Sequence, residues 1–208
     1  MTSSGIAEQR PTRDRSPARP ELLLHICCAP CSTHVIEILR PHFRVSGFFY
    51  NPNIHPPGER NRRLEEARRL CRRLDLPLYS DRSDVRAWSR RMRGRERDRE
   101  GGPYCSVCYW IRLQRTAREA HRRSMEFFAT TLTISPHKDA AAIHHMGELA
   151  ARRFGVRFLA RDFKKQDGFG RSCRLSELYH LYRQDYCGCR YSLRERRGTE
   201  PVRRDRRT

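Results

Sequence analysis

The stretch LLLHICCAPCSTHVIEIL, Leu22–Leu39, decides how the chain folds. Leu22–Ile26 is a short apolar run, as expected of a buried strand. A cysteine-rich turn, CCAPC, follows, and Pro30 helps to end the strand. Ser32–Leu39 then carries helical spacing, with Ser32 as a candidate N-cap. The same alternation continues outward. VSGFFYN (Val45–Asn51) and LPLYS (Leu76–Ser80) read as strands. Between them, Gly58–Leu74 reads as a helix with Leu64, Ala67, Leu70, Cys71 and Leu74 along one face. Helices are expected over Val85–Met92, Cys105–Arg123, Ala141–Phe154 and Leu175–Gln184, and strands over Phe127–Ile134 and Val156–Arg161. Strands that alternate with helices predict an α/β fold, an open and mostly parallel Rossmann-like sheet flanked by helices. Such sheets hold ligands beyond the carboxyl ends of their strands. CCAPC and TISPHKD (Thr133–Asp139) both fall at such ends.

The 208 residues suffice for one compact domain with loose ends. Residues 1–20 and 194–208 are rich in arginine and proline and carry no periodicity, so they read as disordered basic tails around a body of residues 21–193. No apolar run reaches the length of a membrane span. The opening residues lack the apolar stretch of a secretory signal, so a cytoplasmic chain is expected. There are 44 Lys+Arg against 24 Asp+Glu, a formal net charge of +20. Lys138, Lys164 and Lys165 are the only lysines, and arginine supplies the rest of the basic charge. An excess of this size favours a polyanion, because each phosphate neutralised releases counterions. The alternative is a solvated basic surface.

Nine cysteines are many for a chain expected to keep its thiols reduced. They fall into groups: Cys27, Cys28 and Cys31; Cys105 and Cys108; Cys187 and Cys189. Cys105-Ser-Val-Cys108 stands at a helix start, with both sulfurs on one face. It reads as half a zinc site, half an iron–sulfur site, a redox pair or a buried inert pair. Cys28 and Cys31 could complete a four-thiolate zinc site with it, which leaves Cys27 unexplained. Cys187-Gly188-Cys189 closes only a small, strained ring, so a disulfide there is labile rather than structural. It reads as a redox pair or as two free thiols. Cys71 lies on an apolar helix face and reads as core; Cys173 has no assignment.

HICCAPCS (His25–Ser32), YNPNIHP (Tyr50–Pro56), YCSVCYWIRL (Tyr104–Leu113), TTLTISPHKD (Thr130–Asp139), DFKKQDG (Asp162–Gly168) and YRQDYCGCRYS (Tyr182–Ser192) occur in this order. Together they resemble the epoxyqueuosine reductase QueH family, over roughly Leu22–Ser192. The resemblance implies a cobalamin-independent iron–sulfur oxidoreductase. Its reaction reduces the epoxide of epoxyqueuosine in tRNA to the cyclopentene of queuosine, the last step of queuosine synthesis. Carried over by position, Cys27, Cys28, Cys105 and Cys108 are the implied ligands of a [4Fe–4S] cluster, and Cys187 and Cys189 the implied redox-active disulfide. Relatives can carry Asp at the position of Cys31, which makes Cys31 either a substitute cluster ligand or a ligand of an adjacent iron. The implied partners are tRNA carrying epoxyqueuosine and an electron donor that the sequence does not identify.

Other residues are candidates by position. Ser135, His137 and Lys138 sit where a strand opens into a helix, a natural place for an anion or substrate. Lys164, Lys165 and Arg183 are candidate contacts to the tRNA backbone, with solvated charge as the alternative. Asp162 and Asp185 are candidate proton donors. His25 and Tyr50 either line the site or pack. Two other functions compete. A tRNA-thiolating iron–sulfur enzyme shares the architecture, but CCAPC stands where a glycine-rich loop such as SGGxDS would hold ATP pyrophosphate. A zinc-stabilised RNA-binding protein accounts for the charge and four thiols, and leaves Cys187 and Cys189 idle.

Overall fold

The computed structural model describes residues 19–82, 84–95, 98, 100–196 and 198. Five parallel strands form one sheet: β1 (Glu21–His25), β2 (Arg44–Phe49), β3 (Leu78–Ser80), β4 (Phe127–Thr130) and β5 (Arg157–Phe158). Their order is β3-β2-β1-β4-β5. The chain therefore builds outward from β1 on one side, then returns to β1's other side to lay down β4 and β5. The direction reverses between β1 and β4, and the two loops that leave these strands diverge there. A crevice at such a reversal is where open α/β sheets hold their ligands. In register, His25 at the end of β1 pairs with Thr130 at the end of β4.

Helices cover both faces, and β1 shows why. Leu23 points into one apolar layer, with Phe48, Phe128, Trp88, Tyr104 and Ile143. Leu22, Leu24 and Ile26 point into the other, with Val35, Ile36, Phe49, Leu70 and Phe163. Strands buried on both faces read as continuous apolar runs, which is the pattern of Leu22–Ile26. The first layer is built from α3 (Val85–Arg91), α4 (Pro103–Arg122) and α5 (Ala140–Phe154). The second is built mainly from α1 (Ala29–Leu39) and α2 (Pro57–Arg73), with α6 (Gly168–Leu178) packed on α1. Gly168 must be glycine for α6 to start where it does, since a Cβ there would overlap the Phe163 carbonyl oxygen. No helix among the described residues is long and apolar enough to cross a membrane.

The structure departs from the sequence reading in four places besides the last strand, which is expected over Val156–Arg161 and spans only Arg157–Phe158. Helix α1 starts at Ala29 and is capped by Cys28, whose sulfur accepts from the Cys31 amide at 3.4 Å; Ser32 sits inside the first turn and donates to the Cys28 carbonyl at 2.7 Å. Pro30 favours this early start, because proline suits the first helical turn. The strand expected over Phe127–Ile134 ends at Thr130, and Thr131–Ile134 forms a 3-10 helix whose N-terminal Thr130 hydroxyl accepts from Leu132. The helix expected over Leu175–Gln184 occupies Gly168–Leu178 instead. It stops where His180 turns to φ 50°, and Tyr182–Gly188 run on without regular structure. Finally, α7 (Arg190–Arg196) continues three residues past the expected body boundary at 193, with Tyr191 wedged against Trp88 and Tyr104. Of the expected basic tails, residues 1–18, 197 and 199–208 lie outside the described residues.

Candidate active site

Three cysteine groups, far apart in sequence, converge at the reversal point. Cys27 lies in the loop after β1. Its amide donates to the Thr131 hydroxyl at 3.1 Å, and that hydroxyl donates on to the Cys27 sulfur at 3.2 Å. Thr131 thus ties the loop after β1 to the loop after β4. The sulfurs of Cys27, Cys28 and Cys31 all lie within 4.8 Å of one another. Cys28 and Cys31 are joined as a disulfide with a Cα–Cα distance of 5.5 Å, a pairing that the sequence reading did not anticipate. It follows from the cap: the first turn of α1 folds Cys31 back over Cys28.

Cys105 and Cys108 lie in the first two turns of α4, both buried, and stand outside the group of three. The Gly101 amide donates to the Cys105 sulfur at 3.3 Å. Burial pushes the Cys105 thiol up to about 11 despite that bond, and burial likewise raises Cys108 against the pull of Arg112. Both sulfurs face Cys187 closely enough to feel its charge.

Cys187 and Cys189 are free thiols. Their hydrogen bond places the proton on Cys189 and holds Cys187 well below the ordinary thiol range, with Lys138 and Arg112 adding to the effect against burial. The Lys138 ammonium lies 3.4 Å from the Cys187 sulfur and 3.3 Å from Glu100. Burial opposes its charge, but Cys187, Tyr109, Glu100 and Cys27 together outweigh burial and raise it. On the other side, the Ser192 amide donates to Cys189 at 3.4 Å, and Tyr104 Oη approaches that sulfur at 3.9 Å.

The loop carrying these two cysteines is clamped from outside. Arg63 of α2, 2% exposed, donates to the carbonyls of Cys187 at 3.1 Å and Tyr186 at 3.3 Å while paired with Glu59 at 2.6 Å. The His55 amide donates to the Gly188 carbonyl at 2.7 Å, which explains why YNPNIHP belongs with the cysteine motifs. Gly188 holds φ 120°, and a Cβ there would come 3.0 Å from Arg63 Nη1 and 3.1 Å from Ile54. Gly188→Ala is therefore expected to lower stability by about 1–3 kcal/mol, a strained-backbone cost. Chemical denaturation checks this, and an unchanged midpoint would show that the loop relaxes freely.

A cavity of about 650 Å³ opens on this array. Cys27, Cys31 and Cys187 line it, as do Ser135, His137, Lys138, Arg183 and Asp185. Lys164 and Lys165 do not. Lys164 pairs with Asp162 at 3.2 Å, and Lys165 is exposed elsewhere. Asp185 also pairs with Arg196 at 3.4 Å. His25 is fully buried, bonded to Thr130 at 2.9 Å and to the Tyr50 carbonyl at 3.3 Å, and burial beside Arg112 keeps it neutral. Cys71 is core, its thiol pushed up to about 12 by burial, and Cys173 is a half-buried free thiol.

Two arginines escaped the sequence reading. Arg112 is 2% exposed and lines the cavity. It donates to Asn51 Oδ1 at 2.6 Å, leaves its Nε without a partner, and has no carboxylate partner among the described residues. A buried charge is costly unless something opposite offsets it, and the thiols around Arg112 can do so when ionised. A signal for Arg112 existed: it stands four and seven residues after Cys108 and Cys105, on their helical face. Arg63 carried no such signal within its charged helix.

The donor set suits a metal centre held by sulfur. Metal binding must deprotonate its thiols, and Lys138 and Arg112 supply the positive charge that favours this. Buried paired thiols and an attendant lysine at the reversal point of a parallel sheet define an oxidoreductase of the α/β class. The profile of the family described as epoxyqueuosine reductase QueH matches residues 22–195. Epoxyqueuosine reductase QueH of Streptococcus pyogenes is 36% identical over 187 residues, 87% of this chain and 73% of that protein. The protein of the same name from Thermotoga maritima is 36% identical over 182 residues, 85% of this chain and 92% of that one. The chain belongs to the epoxyqueuosine reductase QueH family. Among solved structures, the U34-tRNA thiolase NcsA from Methanococcus maripaludis with its [4Fe–4S] cluster superposes with a TM-score of 0.55. At 14% identity, over 86% of this chain and 63% of that one, the likeness is one of fold.

Proposed function

We propose that this chain reduces the epoxide of epoxyqueuosine in tRNA to the cyclopentene of queuosine. The observation that carries the reading is the meeting of Cys27, Cys31, Cys187 and Lys138 in one cavity. Loss of an epoxide oxygen as water takes two electrons and two protons. Cys187 and Cys189 hold both electrons, released when their sulfurs join as a disulfide. One proton comes from the Cys189 thiol and the other from the Lys138 ammonium, which buffer later restores. The products are then the alkene, water and the disulfide, and an external reductant reopens the pair. Lys138 serves twice: it holds Cys187 as thiolate, and it faces the cavity where the departing oxygen gains negative charge.

Cys27, Cys28, Cys105 and Cys108 are the residues assigned to a [4Fe–4S] cluster, once Cys28 and Cys31 are reduced. Cys31 is assigned to the same cluster or to an adjacent iron. Such a group supplies one-electron transfer and a Lewis-acidic iron. Arg112 offsets the charge of the ligand set, while Ser135 and His137 face the substrate. Lys164 and Lys165, away from the cavity, are assigned to the flanking RNA. The reaction belongs to the cytoplasm, where tRNA is modified. Anaerobic incubation with epoxyqueuosine-containing tRNA and a strong reductant, followed by nucleoside analysis, is expected to show queuosine. Recovery of only the epoxide from metal-replete protein would sink the reading.

A further inference from the structure

Helix α4 separates two hollows. Arg112 turns toward the thiol cavity, whereas Ile111, Gln114, Arg115 and Arg118, rotated around the helix axis, line a second cavity of about 360 Å³. Arg91 of α3 and Arg153 of α5 close this second hollow, and Trp88 and Phe154 give it an apolar wall. Arg115 is neutralised by Asp81. Arg91, Arg118 and Arg153 are exposed and form no ion pair among the described residues. Three helices thus bring three guanidinium groups without an ion pair to one concave, partly aromatic hollow, where they outnumber Asp84, which also lines it and caps α3 through the Ala87 amide.

Its position matters as much as its charge. Tyr50, which lines it, directly follows β2, and α3 follows β3. The hollow therefore starts at the carboxyl rim, beside the thiol cavity with α4 between them, and runs along α4 towards the amino rim, where Arg118 and Arg153 stand near the ends of the helices that lead into β4 and β5. Trp88 in its wall packs on Tyr191, Tyr191 on Tyr104, and Tyr104 reaches Cys189.

We infer that this hollow binds a phosphate-bearing nucleotide of the same RNA strand whose modified base enters the thiol cavity. The inference rests on the tRNA reading above. The size lies at the lower end of the about 300–1,000 Å³ range of small-molecule sites, which suits one nucleotide. Guanidinium groups beside aromatic surface match how single-stranded RNA is held, through phosphates and stacked bases. An acidic electron-donor protein is the competing occupant. It would spread its carboxylates over a broad face rather than insert into a hollow of this size.

The test uses metal-replete protein carrying Arg118→Glu with Arg153→Glu, the milder pair Arg118→Gln with Arg153→Gln, and Arg72→Glu as control. Arg72 is exposed at the end of α2, in the helical layer on the other face of the sheet. Fluorescence anisotropy with epoxyqueuosine-containing tRNA is read across a salt series. The charge reversal is expected to weaken binding at least about tenfold and to lower the salt slope by roughly two, near one for each phosphate no longer neutralised. The Gln pair is expected to show a smaller loss in the same direction, and the control none. Wild-type affinity and slope in both double variants would overturn the inference. Unchanged tRNA binding, with turnover lost only when an acidic flavoprotein replaces a chemical reductant, would overturn it in favour of the donor. A wild-type enzyme that binds tRNA without forming queuosine would refute the epoxide reading, and the affinity contrast would still decide this one.

Discussion

Cys187→Ser is expected to abolish repeated turnover while leaving the fold intact. The side chain changes by one atom, and the clamp on its backbone survives, because Arg63 and His55 bond to carbonyls of this loop and not to the sulfur. What disappears is the group that can join Cys189 and release two electrons. Thiol trapping with peptide mapping should find Cys187 and Cys189 blocked in the oxidised wild-type enzyme and free in the reduced one, and Cys189 free in both states of the variant, whatever the state of the Cys28–Cys31 pair. Lys138→Met should give a second, separable signature. Without its ammonium beside the sulfur, the Cys187 thiolate loses a stabilising charge, so its pKa must rise. Alkylation of Cys187, which needs the thiolate, should then reach half-maximal rate at a higher pH than in wild type. Turnover should fall by roughly 10²–10⁴-fold, the usual contribution of a positioned acid. A Cys187→Ser, Cys189→Ser enzyme with wild-type multiple turnover would return the pair to two idle thiols. A Lys138→Met enzyme with an unchanged alkylation profile would remove Lys138 from the mechanism.

The second large effect concerns the sulfur ligands. Cys27, Cys28, Cys105 and Cys108 are each expected to be needed for broad absorption near about 400 nm in anaerobically purified protein, where thiolate-bound iron–sulfur clusters absorb and zinc does not. The geometry sharpens this test. Cys31 shares the 4.8 Å group with Cys27 and Cys28, while Cys105 and Cys108 stand apart on α4. Retention of full absorption by Cys105→Ala would show that α4 does not ligate the cluster. Loss in Cys31→Ala together with retention in Cys27→Ala would make Cys28 and Cys31 the true arm from the loop after β1. Colourless protein that binds zinc stoichiometrically would support the zinc-stabilised alternative.

Much of this was legible one segment at a time. Leu22–Ile26 read as a buried strand because a continuous apolar run suits a strand covered on both faces, and the five strands and helices α1 to α5 were found near their places, whereas α6 was displaced and α7 was not expected. The misplacements have local causes too. Helix α1 began early because a cysteine can cap a helix and Pro30 favours the first turn. The strand after Phe127 ended early because the Thr130 hydroxyl captured a backbone amide. The helix expected over Leu175–Gln184 was displaced because the chain turns at His180, φ 50°, and Leu178 at the end of α6 is 63% exposed.

The amino-acid sequence by itself determined the alternation of strands and helices, the grouping of the cysteines, and the resemblance that led to the family, since each depends on residues close in the chain. Only the tertiary structure decided which groups meet. Thr131 reaches Cys27 across 104 positions, and Arg63 reaches Cys187 across 124. Neither pair is linked by any periodicity. The same holds for the two hollows beside α4, since Arg112 and Ile111 are adjacent in sequence and are separated only by the turn of the helix. Charge composition favoured a polyanion without excluding a solvated basic surface, but which arginines converge on a hollow and which are spent on Asp81 or Glu59 depends on helix packing. Contacts of that kind form when the sheet closes, because closure sets side chains from distant segments at hydrogen-bonding distance and removes the water that would otherwise separate them.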